Sequence, residues 1–97
     1  MIRSFRDAGT EDLFHGRDSR AARRRLPVAL WVVASRKLDA IDQAGELGDL
    51  RVPPGNRLEA LRGDRAGQHS IRINDQYRIC FRWTTSGPED VEIVDYR

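Results

Sequence analysis

The sequence predicts an α+β domain with two N-terminal helices packed on one face of a mainly antiparallel sheet of four to five strands. Three observations carry that expectation. Apolar residues recur near helical spacing at Leu26, Leu30, Val33, Leu38 and Ile41. The period then changes to two, with Ile71, Ile73, Tyr77, Ile79, Phe81 and Trp83 all on odd positions. Helical segments precede the run of strands instead of alternating with them, which favours helices segregated to one side of an antiparallel sheet. The 97 residues provide apolar surface for one core, so residues 1–97 are expected to form a single domain.

Taken in order, "IRSF" at 2–5 reads as a short strand with Ile2 and Ser4 on one side and Arg3 and Phe5 on the other. Thr10 precedes "EDLF" and is expected to cap a short helix ending near Gly16. Pro27 suits a first helical turn, so a long amphipathic helix is expected over 27–44, stopping before Gly45 or Gly48. "RVPPGNR" cannot continue that helix and reads as an extended connection into the sheet. A last strand is expected at 90–96, with Val91 and Ile93 on one face and Glu92, Val94 and Tyr96 on the other.

The hairpin register follows from the pattern. A two-residue turn at Asn74-Asp75 sets Ile71 against Arg78 and mixes core with charge. A three-residue loop, Asn74-Asp75-Gln76, pairs Ile73 with Tyr77 and Ile71 with Ile79. That register also sets Arg72 opposite Arg78 on the non-core face. Directly opposed like charges are destabilising. They become useful where a polyanion lies across them, and the face carrying them is expected to stay open.

Composition narrows the function classes. With 39% hydrophobic and 33% charged residues the chain reads as a globular protein, and no run of 18 apolar residues suggests a membrane span. Sixteen of the 17 basic residues are arginine, a bias that suits phosphate contact and that a GC-rich genome would equally produce. Seven basic residues between Arg17 and Lys37 face one acid, Asp18, which is an electrostatic footprint for an acidic partner or a solvated helix start. Cys80 is the single cysteine, matches no metal-ligand spacing and points to a reducing cytoplasm, the expected location. Arg62-Gly63-Asp64 belongs to a turn and is not read as an adhesion motif.

The string "VPPGNRLEALRGDRAGQHSIRINDQYRICFRW", followed by "VEIVDY", resembles the HigB-type toxins of bacterial toxin–antitoxin systems, a branch of the RelE/ParE superfamily. "MIRSFRDAGTEDLF" and "RKLDAID" resemble the same family, so the likeness covers nearly the whole chain. The resemblance implies a RelE/ParE-like fold and a ribosome-dependent mRNA endonuclease that needs no metal or other cofactor. It implies as partners the ribosome, mRNA and a HigA-type antitoxin with a helix-turn-helix fold, promoter DNA being reached only through that antitoxin. The basic block at Arg17–Arg25 is then assigned to ribosomal RNA or antitoxin contact.

Metal-free RNA cleavage uses the neighbouring 2′-hydroxyl as nucleophile, so a site must accept a proton, stabilise a crowded phosphate and protonate the leaving 5′-oxygen. By resemblance, Arg78 in "QYR" is the strand arginine that meets the scissile phosphate. Arg62 and Arg65 match basic positions at a turn beside the cleft, each a phosphate contact or a solvated turn residue. Arg72 and Arg97 complete the expected phosphate contacts. Glu59 is the carboxylate just ahead of the turn, a general base or a paired surface glutamate. Asp95 and Tyr96 match the first two residues of the family's carboxyl-terminal Asp-Tyr-His, with Tyr96 stacking on a base or positioning the phosphate.

Arg97 stands where that pattern has histidine, and a guanidinium cannot exchange a proton near neutral pH. His69 shares the parity of Ile71 and is expected as a satisfied core histidine, while His15 is expected at the C-terminal end of the first helix. Two further readings follow: a toxin-fold binder whose catalysis is weakened or lost, and a ParE-like gyrase inhibitor.

Overall fold

Three α-helices precede a four-stranded antiparallel meander in the computed structural model, which describes residues 1–96. The helices are α1 (Ala8–Phe14), α2 (Arg20–Arg25) and α3 (Trp31–Gln43). The strands β1 (Glu59–Ala60), β2 (His69–Arg72), β3 (Tyr77–Thr84) and β4 (Gly87–Asp95) pair in sequence order. The expected α+β class is therefore observed.

Helix α1 starts three residues earlier than the sequence suggested. Asp7, not Thr10, is the cap: its Oδ1 accepts from the Thr10 backbone N at 2.8 Å. Thr10 is inside the helix and fully buried, where its hydroxyl donates to Asp7 Oδ2 and accepts from the Ile93 backbone N at 3.0 Å. A residue read as a surface cap thus ties α1 to β4.

The basic block is itself a helix, α2, capped by Ser19, whose Oγ accepts from Ala22 N. Only Ala22 is buried on it, so a six-residue segment with four arginines concealed the element. Two of its four arginines are engaged within the chain: Arg23 with Asp18 at 2.7 Å, and Arg25 with Asp7 at 3.2 Å and the Ile93 carbonyl at 3.0 Å. Arg17, just ahead of it, pairs with Asp12 at 3.2 Å. The long helix begins at Trp31 because Pro27 leads into one 3₁₀ turn, Val28–Leu30, before α-geometry takes over.

Residues 2–5 dock beside β4 and contribute a single parallel bridge, Phe5 with Val91, in place of a full strand. Backbone bonds from Arg3 N to Pro88 O and from Arg6 N to Val91 O hold the segment there. The connection after α3 is not extended either. It folds into 3₁₀ turns, Leu47–Arg51 and Pro54–Asn56, stabilised by buried Asn56, whose Nδ2 donates to the Leu50 and Val52 carbonyls.

The hairpin register is the expected one: Ile71 opposes Ile79 and Arg72 opposes Arg78. Asn74 Oδ1 closes the loop by accepting from Gln76 N and Tyr77 N. Ile71, Ile79, Phe81, Val91 and Ile93 form the sheet's contribution to the core, packed with Leu13, Leu26, Leu38 and Ile41 from the helices. At roughly 2 kcal/mol for each fully buried large aliphatic side chain, this layer is the main stabilising contribution.

Candidate active site on the second sheet face

The face away from the helices is less open than the alternation suggested. Ser70 and Cys80, which oppose each other on it, are fully buried, and the side chains of Arg72 and Arg78 are only 28% and 17% exposed. The reason is local: each opposed arginine has its own carboxylate. Arg72 pairs with Asp75 in the hairpin loop, while Arg78 Nη2 lies 2.9 Å from Glu59 Oε1 on β1. The repulsion that seemed to call for a polyanion is offset within the chain.

Arg78 is the centre of the arrangement. Its Nη1 donates to Ser70 Oγ at 3.2 Å, and its guanidinium carbon stands 5.2 Å from the centre of the Tyr96 ring, a cation–π contact. Glu59, Arg62 and Tyr96 line an open cleft of about 580 Å³ beside it. Glu59 reaches this cleft because β1 is a two-residue edge strand with both of its residues, Glu59 and Ala60, exposed, and exposed Arg62 follows just ahead of the 3₁₀ turn Gly63–Arg65.

Arg65, on the 3₁₀ turn Gly63–Arg65, stands over the neighbouring part of the face. Its Nη1 donates to Glu92 Oε1 at 3.0 Å and to Gln68 Oε1 at 3.1 Å. Burial opposes the Arg65 charge, but the Glu92 hydrogen bond and attraction from Cys80, Glu92 and Tyr96 outweigh it and raise its pKa. Beneath, burial pushes the Cys80 thiol up, against the pull of Arg65 and Arg78.

The tail is positioned by a residue the sequence reading did not single out. Gln76 Nε2 donates to Asp95 Oδ2 at 3.0 Å, and its carbonyl accepts from Tyr96 N. Ser70, Gln68 and Glu92 were missed as well. The signal for Ser70 and Glu92 was parity, since even positions in β2 and β4 share a face with Arg78, and Gln68 directly precedes β2 at the same parity. Arg97 lies outside the described residues.

His15 is the C-cap of α1, 3.9 Å from Glu11, as expected. His69 is not a satisfied core residue: it is half-buried against Phe81, and its buried Nδ1 has no hydrogen-bond partner. Among the described residues no group of three His, Cys, Asp or Glu side chains is placed to hold a metal ion, and no helix is long and apolar enough to cross a membrane.

Comparison with known proteins decides the family. Residues 3–97 match the HigB-like toxin family, described as the RelE-like toxin of the type II toxin-antitoxin system HigB. The chain belongs to the HigB-like toxin family. Among its relatives, Toxin HigB-1 of Vibrio cholerae serotype O1 is 42% identical over 83 residues, covering 86% of this chain and 84% of that protein. Endoribonuclease HigB of Proteus vulgaris is 30% identical over 96 residues, 99% of each chain. Membership in this family implies an antitoxin partner.

Proposed function

We propose that this toxin is a metal-independent mRNA endonuclease that acts on the ribosome in the cytoplasm and is neutralised by a HigA-type helix-turn-helix antitoxin. The observation that carries the reading is that Glu59 and Tyr96, which both contact Arg78, line one exposed cleft together with Arg62, while Arg65 lines a separate pocket. The name of the Proteus relative supports the same chemistry.

In this account an RNA phosphate displaces Glu59 from Arg78. The guanidinium then meets charge that grows on the phosphate oxygens in the transition state. Glu59, freed at that moment, takes the proton of the 2′-hydroxyl as its oxygen attacks phosphorus. The P–O bond to the 5′-oxygen breaks, leaving a 2′,3′-cyclic phosphate on one product and a 5′-hydroxyl on the other. Tyr96 donates the proton to that leaving oxygen, since a phenol is far more acidic than an alcohol. Arg65 and Arg62 supply further positive charge, Arg72 and Arg97 extend the phosphate track, and Asp95 holds the tail in place.

Arginine at position 97 favours a second reading, a binder with weakened catalysis. The match to the HigB branch supports RNA cleavage over gyrase inhibition. Incubating the purified chain with mRNA, with and without translating ribosomes, and mapping the ends tests the proposal. New ends that require ribosomes are expected. Equal cutting of naked RNA removes the ribosome from the account, and no cutting in either mixture leaves the binder.

A further inference from the structure

A second cavity, of about 410 Å³, opens on the other side of β1 and shares Ala60 with the cleft at Tyr96. Leu47, Pro54 and Leu58 give it apolar walls, while Arg51, Arg57 and His69 supply the polar groups. That mixture suits a nucleotide, which presents a flat stacking face on its base, polar base edges and a charged phosphate.

Arg51 and Arg57 form no ion pair among the described residues, in contrast to Arg65, Arg72 and Arg78. Lack of a partner is not by itself the argument, because Arg20, Arg24 and Arg36 share it. What separates Arg51 and Arg57 is that two arginines without an ion pair share one cavity, while Arg62 lines its neighbour across β1.

The loop that presents them is built firmly. Asn56, 1% exposed, receives Lys37 Nζ on its Oδ1 and binds two carbonyls through its Nδ2. Arg57 follows in the left-handed region at φ 48°, uncommon for a residue with a side chain and a frequent mark of functional sites. His69 adds a ring whose Nδ1 is sealed and unpartnered. A proton there would lack an acceptor, so the neutral ring carries it on Nε2, as a hydrogen-bond donor.

We propose that the cavity at Arg51, Arg57 and His69 is a second RNA subsite, holding a nucleotide that flanks the cleavage point after the strand crosses β1 at Ala60. This rests on the nuclease reading of the Arg78 cleft. The small side chain of Ala60, exposed on the edge strand, leaves the crossing open.

The test is equilibrium binding of the full chain to single-stranded RNA carrying a 2′-deoxy nucleotide at the cleavage point. One oligonucleotide spans the cleavage dinucleotide alone, and a longer one extends on both sides. For Arg51→Gln/Arg57→Gln, binding of the long RNA should weaken roughly tenfold and its log–log salt slope shrink by about 1.4, the loss of two single-strand phosphate contacts. Binding of the dinucleotide should not change.

Parental affinity and slope in the double variant overturn the inference, as does equal weakening of both RNAs. Loss of antitoxin binding with RNA binding intact overturns it too and assigns the cavity to the antitoxin. Arg78→Ala separates the two proposals: it should weaken both RNAs. If it weakens neither while the double variant weakens the long one, the subsite stands and the nuclease reading of Arg78 falls.

Discussion

Glu59 Oε1 lies 2.9 Å from Arg78 Nη2, so the guanidinium proposed to meet RNA is already held by a carboxylate of its own chain. Phosphate and Glu59 compete for one cation, and Glu59 then has a proton to take. Glu59→Gln should lower kcat by about 10²-fold, the scale of general-base loss, without raising KM. A rate equal to the parent's would make Glu59 a surface partner only. The pair is partly exposed, so stability should change by less than about 1 kcal/mol in a denaturant titration.

Tyr96 offers two separable features, a ring 5.2 Å from Arg78 and a hydroxyl. Tyr96→Phe retains the ring. It should keep RNA affinity within about twofold, since stacking belongs to the ring, yet slow cleavage by about 10²-fold if the hydroxyl protonates the leaving oxygen. Single-turnover cleavage beside equilibrium binding reads both, and an unslowed variant would assign the proton to another group.

Thr10 tests the fold apart from the site. Thr10→Val keeps the shape but leaves the buried Ile93 N–H without its acceptor, an expected cost of about 1–3 kcal/mol by chemical denaturation. RNA affinity should stay at the parental value below the unfolding transition.

Cys80 gives a pH dependence. Burial holds its thiol pKa above the ordinary 9.0, so the folded chain keeps a proton that the unfolded chain loses. The associated stability is complete below 9.0 and is lost as pH rises from there through the folded value, at no more than about 1.4 kcal/mol per pH unit. Burial lowers the Lys37 pKa and acts with the opposite sign, so the parent must be compared with Cys80→Ala, in which the lysine contribution cancels. The parent should lose more stability than the variant above pH 9.0; parallel curves would contradict the buried-thiol account.

The sheet was legible because side-chain alternation is coupled to burial: a one-residue slip would have put Ile71 and Ile79 in water. Register followed from that, including the opposed arginines. Helix α2 was not legible, since a short helix with one buried alanine has no apolar stripe. The cap of α1 was misplaced because Asp7 and Thr10 both suit the role, and only the tertiary bond to Ile93 N decides which is inside. In the site, resemblance marked Arg78, Arg62 and Tyr96, and its place just ahead of the turn marked Glu59; the structure brings the four together. Neither could show that Arg72 pairs with Asp75 or that Gln76 anchors the tail, because those pairings depend on loop geometry.

The central claim is that Arg78 makes this toxin cut mRNA. The most direct measurement is a transcriptome-wide map of mRNA 5′ ends after brief expression of the parent and of Arg78→Ala at matched protein levels, each with antitoxin binding checked. New ends in the parent, absent from a variant that still binds antitoxin, are the predicted result. The same ends from both chains, or arrest by the parent without any new ends, would contradict it.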